Sequence, residues 1–133
     1  MSRENAEVVR RIYGALSRQD IEAALDECDD DMEHDWSRSV GPFKGIYRGR
    51  DEIRALWISF QEAVEEAAFE LQEVIDIEPH VIAVVAVRIR GRGSGVEVVG
   101  VGAHVWTVDD GKASGFRLFQ DKDDALEAVG MRE

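Results

Sequence analysis

The stretch Val96-Glu97-Val98-Val99-Gly100-Val101-Gly102-Ala103-His104-Val105-Trp106-Thr107-Val108 decides how this chain is read. Its composition is that of a strand, and side chains alternate faces along a strand. Gly100, Gly102, His104, Trp106 and Val108 therefore share one surface, and Val99, Val101, Ala103, Val105 and Thr107 share the other. Two glycines leave room on the first surface just before a histidine and a tryptophan. Such a face serves as the wall of a pocket, where apolar area binds and one titratable group orients. It serves equally as ordinary core, with His104 bonded to a backbone carbonyl.

Extended patterns surround this stretch. Phe69–Ile77, Val81–Arg90 and Ala113–Phe119 read as strands, broken by Glu78-Pro79-His80, by Gly91-Arg92-Gly93-Ser94-Gly95 and by Asp109-Asp110-Gly111-Lys112. The last two breaks are hairpin chemistry, because Gly and Asp tolerate positive φ. Arg88 and Arg90 near the first hairpin are expected to pair with Glu97 across the ladder.

The first half reads as helical. Val8, Val9, Ile12, Tyr13 and Leu16 recur at helix spacing, with Ser2 or Asn5 as the N-cap. Asp20 caps a short second helix carrying Ile21, Ala24, Leu25 and Cys28. The acids Asp26–Asp31 then read as a solvated helix end and turn. At Met32-Glu33-His34-Asp35-Trp36 the period shifts to two, which predicts a short strand with Met32, His34 and Trp36 on one face and Asp35 on the other. Ser37–Gly49, with Gly41-Pro42 and Gly45, is expected to be an ordered loop. Asp51 is expected to cap a third helix with Ile53, Leu56, Trp57, Phe60 and Val64 on its apolar side. Asp123 or Asp124 opens a last short helix holding Leu126 and Val129.

Helices followed by a strand meander define an α+β chain, its helices packed on one face of a curved antiparallel sheet. At 133 residues the expectation is a single domain, 1–133. The strand Val81–Val87 is apolar on both faces, whereas a sheet with one solvated face alternates apolar with polar. A second layer must cover the outer face. A homodimer through that face is the expectation, and cover by the chain's own C-terminal segment is the alternative.

Composition narrows the partners. Acids outnumber bases 28 to 16, a net charge of −12, which argues against nucleic acid and anionic membrane surfaces, since both bind through Lys and Arg. No apolar run approaches membrane-spanning length, and the N-terminus shows no signal-peptide pattern. Cys28 is the single cysteine, so no intrachain disulfide forms, and the cytoplasm is the expected compartment.

The order helix, helix, short strand, helix, four strands resembles the nuclear transport factor 2-like superfamily, in particular its SnoaL-like and ketosteroid-isomerase-like branch. The resemblance rests on Val8-Val9-Arg10-Arg11-Ile12-Tyr13-Gly14-Ala15-Leu16, Gln19-Asp20-Ile21-Glu22-Ala23-Ala24-Leu25, Tyr47-Arg48-Gly49-Arg50-Asp51-Glu52-Ile53-Arg54 and His104-Val105-Trp106-Thr107-Val108-Asp109-Asp110-Gly111-Lys112, through their joint spacing over nearly the whole chain. It implies a cone, in which a curved sheet and three helices enclose an apolar cavity, often in a dimer. The fold alone assigns no reaction.

Ketosteroid isomerase uses a carboxylate base and a tyrosine plus a protonated aspartic acid at the oxyanion. Carried over without gaps, the base falls at Trp36, with Asp35 adjacent, and the tyrosine falls at Ile12, with Tyr13 adjacent. A supporting tyrosine falls at Trp57. The second acid falls at His104 if one hairpin is a residue shorter, and at Ala103 otherwise. None keeps its chemical type, so steroid isomerisation itself is not expected. SnoaL-type cyclases place an acid on the last strand, for which Asp121 is a remote match.

The candidate catalytic residues are thus His34 and His104, histidine being suited to proton transfer near neutrality, with Asp35 joining if it turns inward. Tyr13, Trp36, Tyr47, Trp57, Trp106 and Phe116 are the candidate ligand-binding residues. His34, Asp35 and His104 lack metal-ligand spacing, and no metal or cofactor is expected. The reading is a pocket protein for a small apolar molecule, acting as a cofactor-independent isomerase, cyclase or dehydratase. Its alternative is a non-catalytic ligand-binding or dimerisation module.

Overall fold

A computed structural model describes residues 2–39 and 43–130. Four helices and six strands follow in the order α1 (Ser2–Ser17), α2 (Ile21–Asp26), β1 (Cys28–Asp35), β2 (Ile46–Arg48), α3 (Gly49–Ala63), β3 (Val64–Ile77), β4 (His80–Gly91), β5 (Glu97–Asp109), β6 (Lys112–Phe119) and α4 (Lys122–Ala128). The strands form one sheet in the order β2-β1-β6-β5-β4-β3.

The expected antiparallel meander runs from β3 to β6, and its last hairpin is the two-residue turn the sequence suggests. Asp110 and Gly111 have φ of 50° and 77°, between the paired residues Asp109 and Lys112. The sheet as a whole is mixed, because β1 lies parallel to β6. The two strands start side by side, Cys28 opposite Ala113, with α3 and the intervening strands supplying the crossover that a parallel pair requires.

Several boundaries differ from the sequence reading. The segment expected to be loop contains β2, three residues that pair with Glu33–Asp35 at the sheet edge. A strand that short has no room to display alternation. Gly41-Pro42 lies outside the described residues. Asp29, Asp30 and Asp31 belong to β1 rather than to a turn, on an irregular stretch where its register with β6 shifts. Helix α3 starts at Gly49, so Asp51 sits in its first turn instead of capping it, and the Glu52 carboxylate accepts from the N–H of Arg48 at 2.8 Å. Val64 leaves the apolar side of α3 because it pairs with Gly91 as the first residue of β3. Asn5 lies inside α1 and is buried, so it is not the cap. Asp20 caps α2 as expected, accepting from the N–H of Ala23 at 3.1 Å. The cap of α4 is Asp121 rather than Asp123 or Asp124.

Both faces of the central strands are covered, at least in part. On the inner face Val8, Val9, Ile12, Leu25, Ile53, Leu56 and Trp57 of the helices pack against Val81, Ala83, Val85, Trp106 and Phe116. On the outer face Ile82, Val84, Ala103, Val105 and Phe119 pack under Ala125, Leu126 and Val129 of the C-terminal segment. The chain therefore covers the middle of its own outer face. Val99 and Val101, farther along β5, stay 63% and 54% exposed. Arg90 meets Glu97, Glu65 and Glu66 at 3.7, 3.6 and 3.5 Å beside this end of the sheet. Among the described residues no helix is long and apolar enough to cross a membrane.

Candidate functional site

Strand register assembles the site. Tyr47 of β2 lies opposite His34 of β1, His34 opposite Phe116 of β6, Phe116 opposite Trp106 of β5, and Trp106 opposite Val81 of β4. Directly paired residues point to the same face, so four of the expected site residues form one row across the inner surface. His104 stands in the next row, between Leu118 and Ala83. The helices add Tyr13 from α1 and Trp57 from α3.

The result is a packed cluster of rings. His34 stacks on Phe116 with centroids 4.2 Å apart and meets Trp57 and Trp106 edge-on at 5.4 and 6.2 Å. Tyr13 stacks on His104 at 6.0 Å and meets Trp106 edge-on at 5.7 Å. Trp106, His34, Trp57 and Tyr13 are all buried. The open interior implied by the resemblance is filled here by these side chains. Two hollows, of about 450 Å³ beside Arg10, Gly14, Arg18 and Ala23 and about 260 Å³ beside Arg38, Phe119 and Glu127, lie outside the cluster.

Hydrogen bonds set the protonation of both histidines. The indole N–H of Trp106 donates to the Tyr13 hydroxyl at 3.0 Å. The Tyr13 hydroxyl in turn lies 2.5 Å from Nδ1 of His104. An indole only donates, so the tyrosine proton is free for Nδ1, which makes His104 an acceptor there and leaves its own proton on Nε2. The indole N–H of Trp57 donates to Nε2 of His34 at 3.4 Å, which leaves the proton of His34 on Nδ1. Burial lowers the pKa of His34 to about 3, with the neighbouring His104 adding to the effect. Burial alone lowers that of His104 to about 4. Both rings are neutral near pH 7 and both present an N–H. Burial also raises the pKa of Tyr13 far above its ordinary value.

The glycines lie where the sequence suggests. A Cβ at Gly102 would stand 3.7 Å from Nε2 of His104, and one at Gly100 would meet nothing within 4 Å. The Gly102 Cβ would also stand 3.5 Å from the carbonyl oxygen of Phe119, so the open position on this face is Gly100. Trp36 lies one residue past the end of β1, half-buried, with its backbone N–H donating to Gly45 at 2.7 Å and its ring edge-on to Phe60 at 6.0 Å. Phe60 also meets Phe43 and Phe69 at 5.8 and 6.2 Å. These three phenylalanines extend the ring surface and were not singled out as site residues from the sequence. The helical periodicity of α3 marks Phe60 as inward-facing, but nothing local to Phe43 or Phe69 distinguishes them from core.

The other expected residues fall elsewhere. Asp35 faces away from the rings, its carboxylate accepting from the N–H of Ser37 at 2.8 Å and lying 3.6 Å from Arg38; these contacts outweigh its partial burial and keep its pKa below the ordinary value. Tyr47 shares the row of His34 but spends its hydroxyl on the carbonyl of Phe43 at 2.8 Å. Ile12 is core, and the adjacent Tyr13 is the residue that reaches the site. Asp121 caps α4, accepting from the N–H of Asp124 at 2.9 Å, and is no part of the cluster. Cys28 is buried, which raises its thiol pKa to about 12. Among the described residues no three His, Cys, Asp or Glu side chains gather in a way that would hold a metal.

Sequence and structure comparisons agree with this architecture. The family model of the SnoaL-like domain matches residues 9–116, and the chain belongs to that family. No curated protein matches its sequence. Among solved structures it is similar to an NTF2-like protein from Burkholderia pseudomallei, at 22% identity over 96% of this chain and 98% of that one, with a TM-score of 0.78. It is similar to TerC, co-crystallised with polyporic acid, at 20% identity over 95% and 98%, TM-score 0.77. A Catenulispora acidiphila protein with a ketosteroid isomerase-like fold, in complex with trimethylamine, is 13% identical over 95% and 94%, TM-score 0.76. At these identities the likeness is one of fold.

Proposed function

We propose that this chain is a small-molecule-binding protein of the SnoaL type, taking an apolar ligand against the ring surface beside His104. The carrying observation is the strand face that runs from His104 through Gly102 to Gly100, where the absence of side chains leaves Gly100 open, a Cβ there meeting nothing within 4 Å. Such a wall admits an apolar body while a single polar group orients it. TerC, of like fold, is a protein crystallised with a small organic molecule, which supports the same use of the cone.

Where the ligand is turned over, the chemistry is isomerisation, cyclisation or dehydration without a cofactor. His104 then acts as a neutral N–H donor to a developing oxyanion, not as a base, because its Nδ1 already holds the tyrosine hydrogen bond. The non-catalytic reading is favoured by a second observation: the carboxylate of Asp35, the acid beside His34 in sequence, is turned to Ser37 and Arg38 and not to the rings. A thermal-shift panel of apolar metabolites on the wild type and on Gly102→Leu tests the site. Ligands that stabilise the wild type and not the variant support it. No stabilising ligand, or unchanged binding by the variant, refutes it.

The same reading includes a homodimer through the uncovered part of the outer sheet face, where Val99 and Val101 stand exposed. Sedimentation equilibrium of the wild type and Val101→Glu is the check. A dimer dissociated by the added charge supports the interface, and a wild-type monomer at micromolar concentration removes it. The compartment assigned is the cytoplasm, which the lone, buried Cys28 supports.

A further inference from the structure

The hollow of about 450 Å³ outside the ring cluster lies where α1 meets α2, and Arg10, Arg11 and Arg18 of α1 all line it. Its floor is made of small residues, Gly14 and Ala15 of α1 and Ala23 of α2. Three guanidinium groups thus surround one concavity on a chain whose net charge is −12. Arg10, Gly14 and Arg18 stand at i, i+4 and i+8, so they share one face of the helix. Nη1 of Arg18 lies 3.6 Å from the position a Cβ would take at Gly14. The Arg18 guanidinium is therefore folded back along the helix towards Arg10, and like charges are gathered where they could have spread. Glycine weakens a helix interior. Gly14 has no positive φ to require it, so its effect at this place is to leave the floor open.

The charges in the hollow do not balance. Glu27 is the one carboxylate among the lining residues, and it accepts from Nε and Nη2 of Arg11, each at 3.1 Å. Glu7, one turn before Arg11, adds its attraction to the same guanidinium. Arg10 and Arg18 have neither an ion pair nor a side-chain hydrogen bond among the described residues. Asp76 is acted on by the charge of Arg10, which opposes the effect of burial on that carboxyl, but the two form no ion pair.

We propose that this hollow binds a doubly charged phosphoryl group, that of a phosphate monoester or a diphosphate, between Arg10 and Arg18. Their Cα atoms are about 12 Å apart along the helix, and two long side chains that bend over Gly14 close on a group of that size. Each guanidinium presents a planar fork of N–H donors, and a terminal phosphoryl group offers three oxygens and about two negative charges near pH 7. Two forks then meet two charges. A carboxylate has one charge and two oxygens, which satisfy one fork and leave the other guanidinium unpaired. Arg11, held by Glu27, adds field to the site while its donors stay engaged. The small floor leaves room for the organic part of an ester. This site lies outside the ring cluster, so the inference goes beyond the apolar ligand proposed above and does not depend on it.

The test titrates the wild type with phenyl phosphate, pyrophosphate and benzoate at an ionic strength of about 0.15 M, where long-range attraction is screened. Nitrogen–proton spectra of the arginine Nε–H groups give the readout. Both phosphates are expected to bind with Kd below about 1 mM and to move the signals of Arg10 and Arg18. Benzoate, which matches the ring of phenyl phosphate and carries one charge, is expected to bind about tenfold more weakly, the factor one charge-assisted hydrogen bond supplies. Arg10→Ala and Arg18→Ala should each weaken phenyl phosphate by a similar factor, with unchanged urea midpoints because both side chains are exposed. Arg18→Lys should behave as Arg18→Ala does, since an ammonium is a point charge without the fork. Gly14→Leu, which favours the helix and fills the floor, should block the site. Benzoate binding as tightly as phenyl phosphate overturns the phosphoryl class, and wild-type affinity in Arg18→Lys overturns the forked contact. Unchanged affinity in both alanine variants, or a Kd above about 10 mM for both phosphates, overturns the site. Each of these failures leaves the apolar reading standing, because the thermal-shift panel and Gly102→Leu report on the opposite side of the helices.

Discussion

The hydroxyl of Tyr13 lies 2.5 Å from Nδ1 of His104 while accepting the indole N–H of Trp106 at 3.0 Å, so one oxygen from the first helix sets the tautomer of a histidine 91 residues away. This relationship gives His104 its character. A ring whose Nδ1 accepts from a hydroxyl displays Nε2–H and donates, as an electrophilic stabiliser does.

Tyr13→Phe removes that oxygen and leaves both Nδ1 of His104 and the indole N–H of Trp106 without a partner. Each unpaired buried group costs about 1–3 kcal/mol, so the expected loss of stability by urea denaturation is about 2–6 kcal/mol. In the wild type, nitrogen chemical shifts should report the Nε2–H tautomer for His104. A loss below about 0.5 kcal/mol, the ordinary scatter of surface substitutions, or an Nδ1–H tautomer in the wild type, would sink the assignment.

Stability should fall on mild acidification. His34 and His104 are held at about 3 and about 4, below the histidine reference of 6.5. The unfolded chain therefore takes up protons that the folded chain refuses. The stabilisation is complete above the unfolded pKa and is lost as pH falls from there towards the folded values. Each histidine contributes a slope of about 1.4 kcal/mol per pH unit in that window. Urea midpoints between pH 7 and pH 5 measure it, and His104→Phe should flatten the slope. A flat profile in the wild type would mean that the rings are solvated.

Asp121→Ala should cost about 1 kcal/mol, the usual worth of an N-cap, because its carboxylate accepts from the N–H of Asp124. Ligand binding should be unchanged. A variant of full stability that fails to bind or turn over the ligand would restore Asp121 as a functional acid.

The strand phase of β5 was legible in the sequence because alternation is a local property, and it put Gly100, Gly102, His104 and Trp106 on one face before any contact was known. Trp57 was legible from helical spacing in the same way. The partners of these residues were not. His34 faces Phe116 only because β1 pairs in parallel with β6, a juxtaposition between segments far apart in the chain that no local pattern encodes. The gapless comparison placed Ile12 where Tyr13 is the residue that meets His104, since one residue turns a helix by about 100° and shifts the side chain to another face.

By itself the sequence determined the α+β order, the inward strand faces, the Asp20 cap of α2, the last hairpin and the acidic surface, all of which depend on residues within a few positions of one another. The tertiary structure alone decided that the apolar strand is covered on its outer side partly by α4, that rings fill the interior, and that both histidines are neutral donors. Those outcomes depend on register, burial and hydrogen-bond partners brought together from distant segments. The chemistry of His34 and His104 is a property of that packing, in which Tyr13 and Trp57 choose the protons and the surrounding rings keep the charge away.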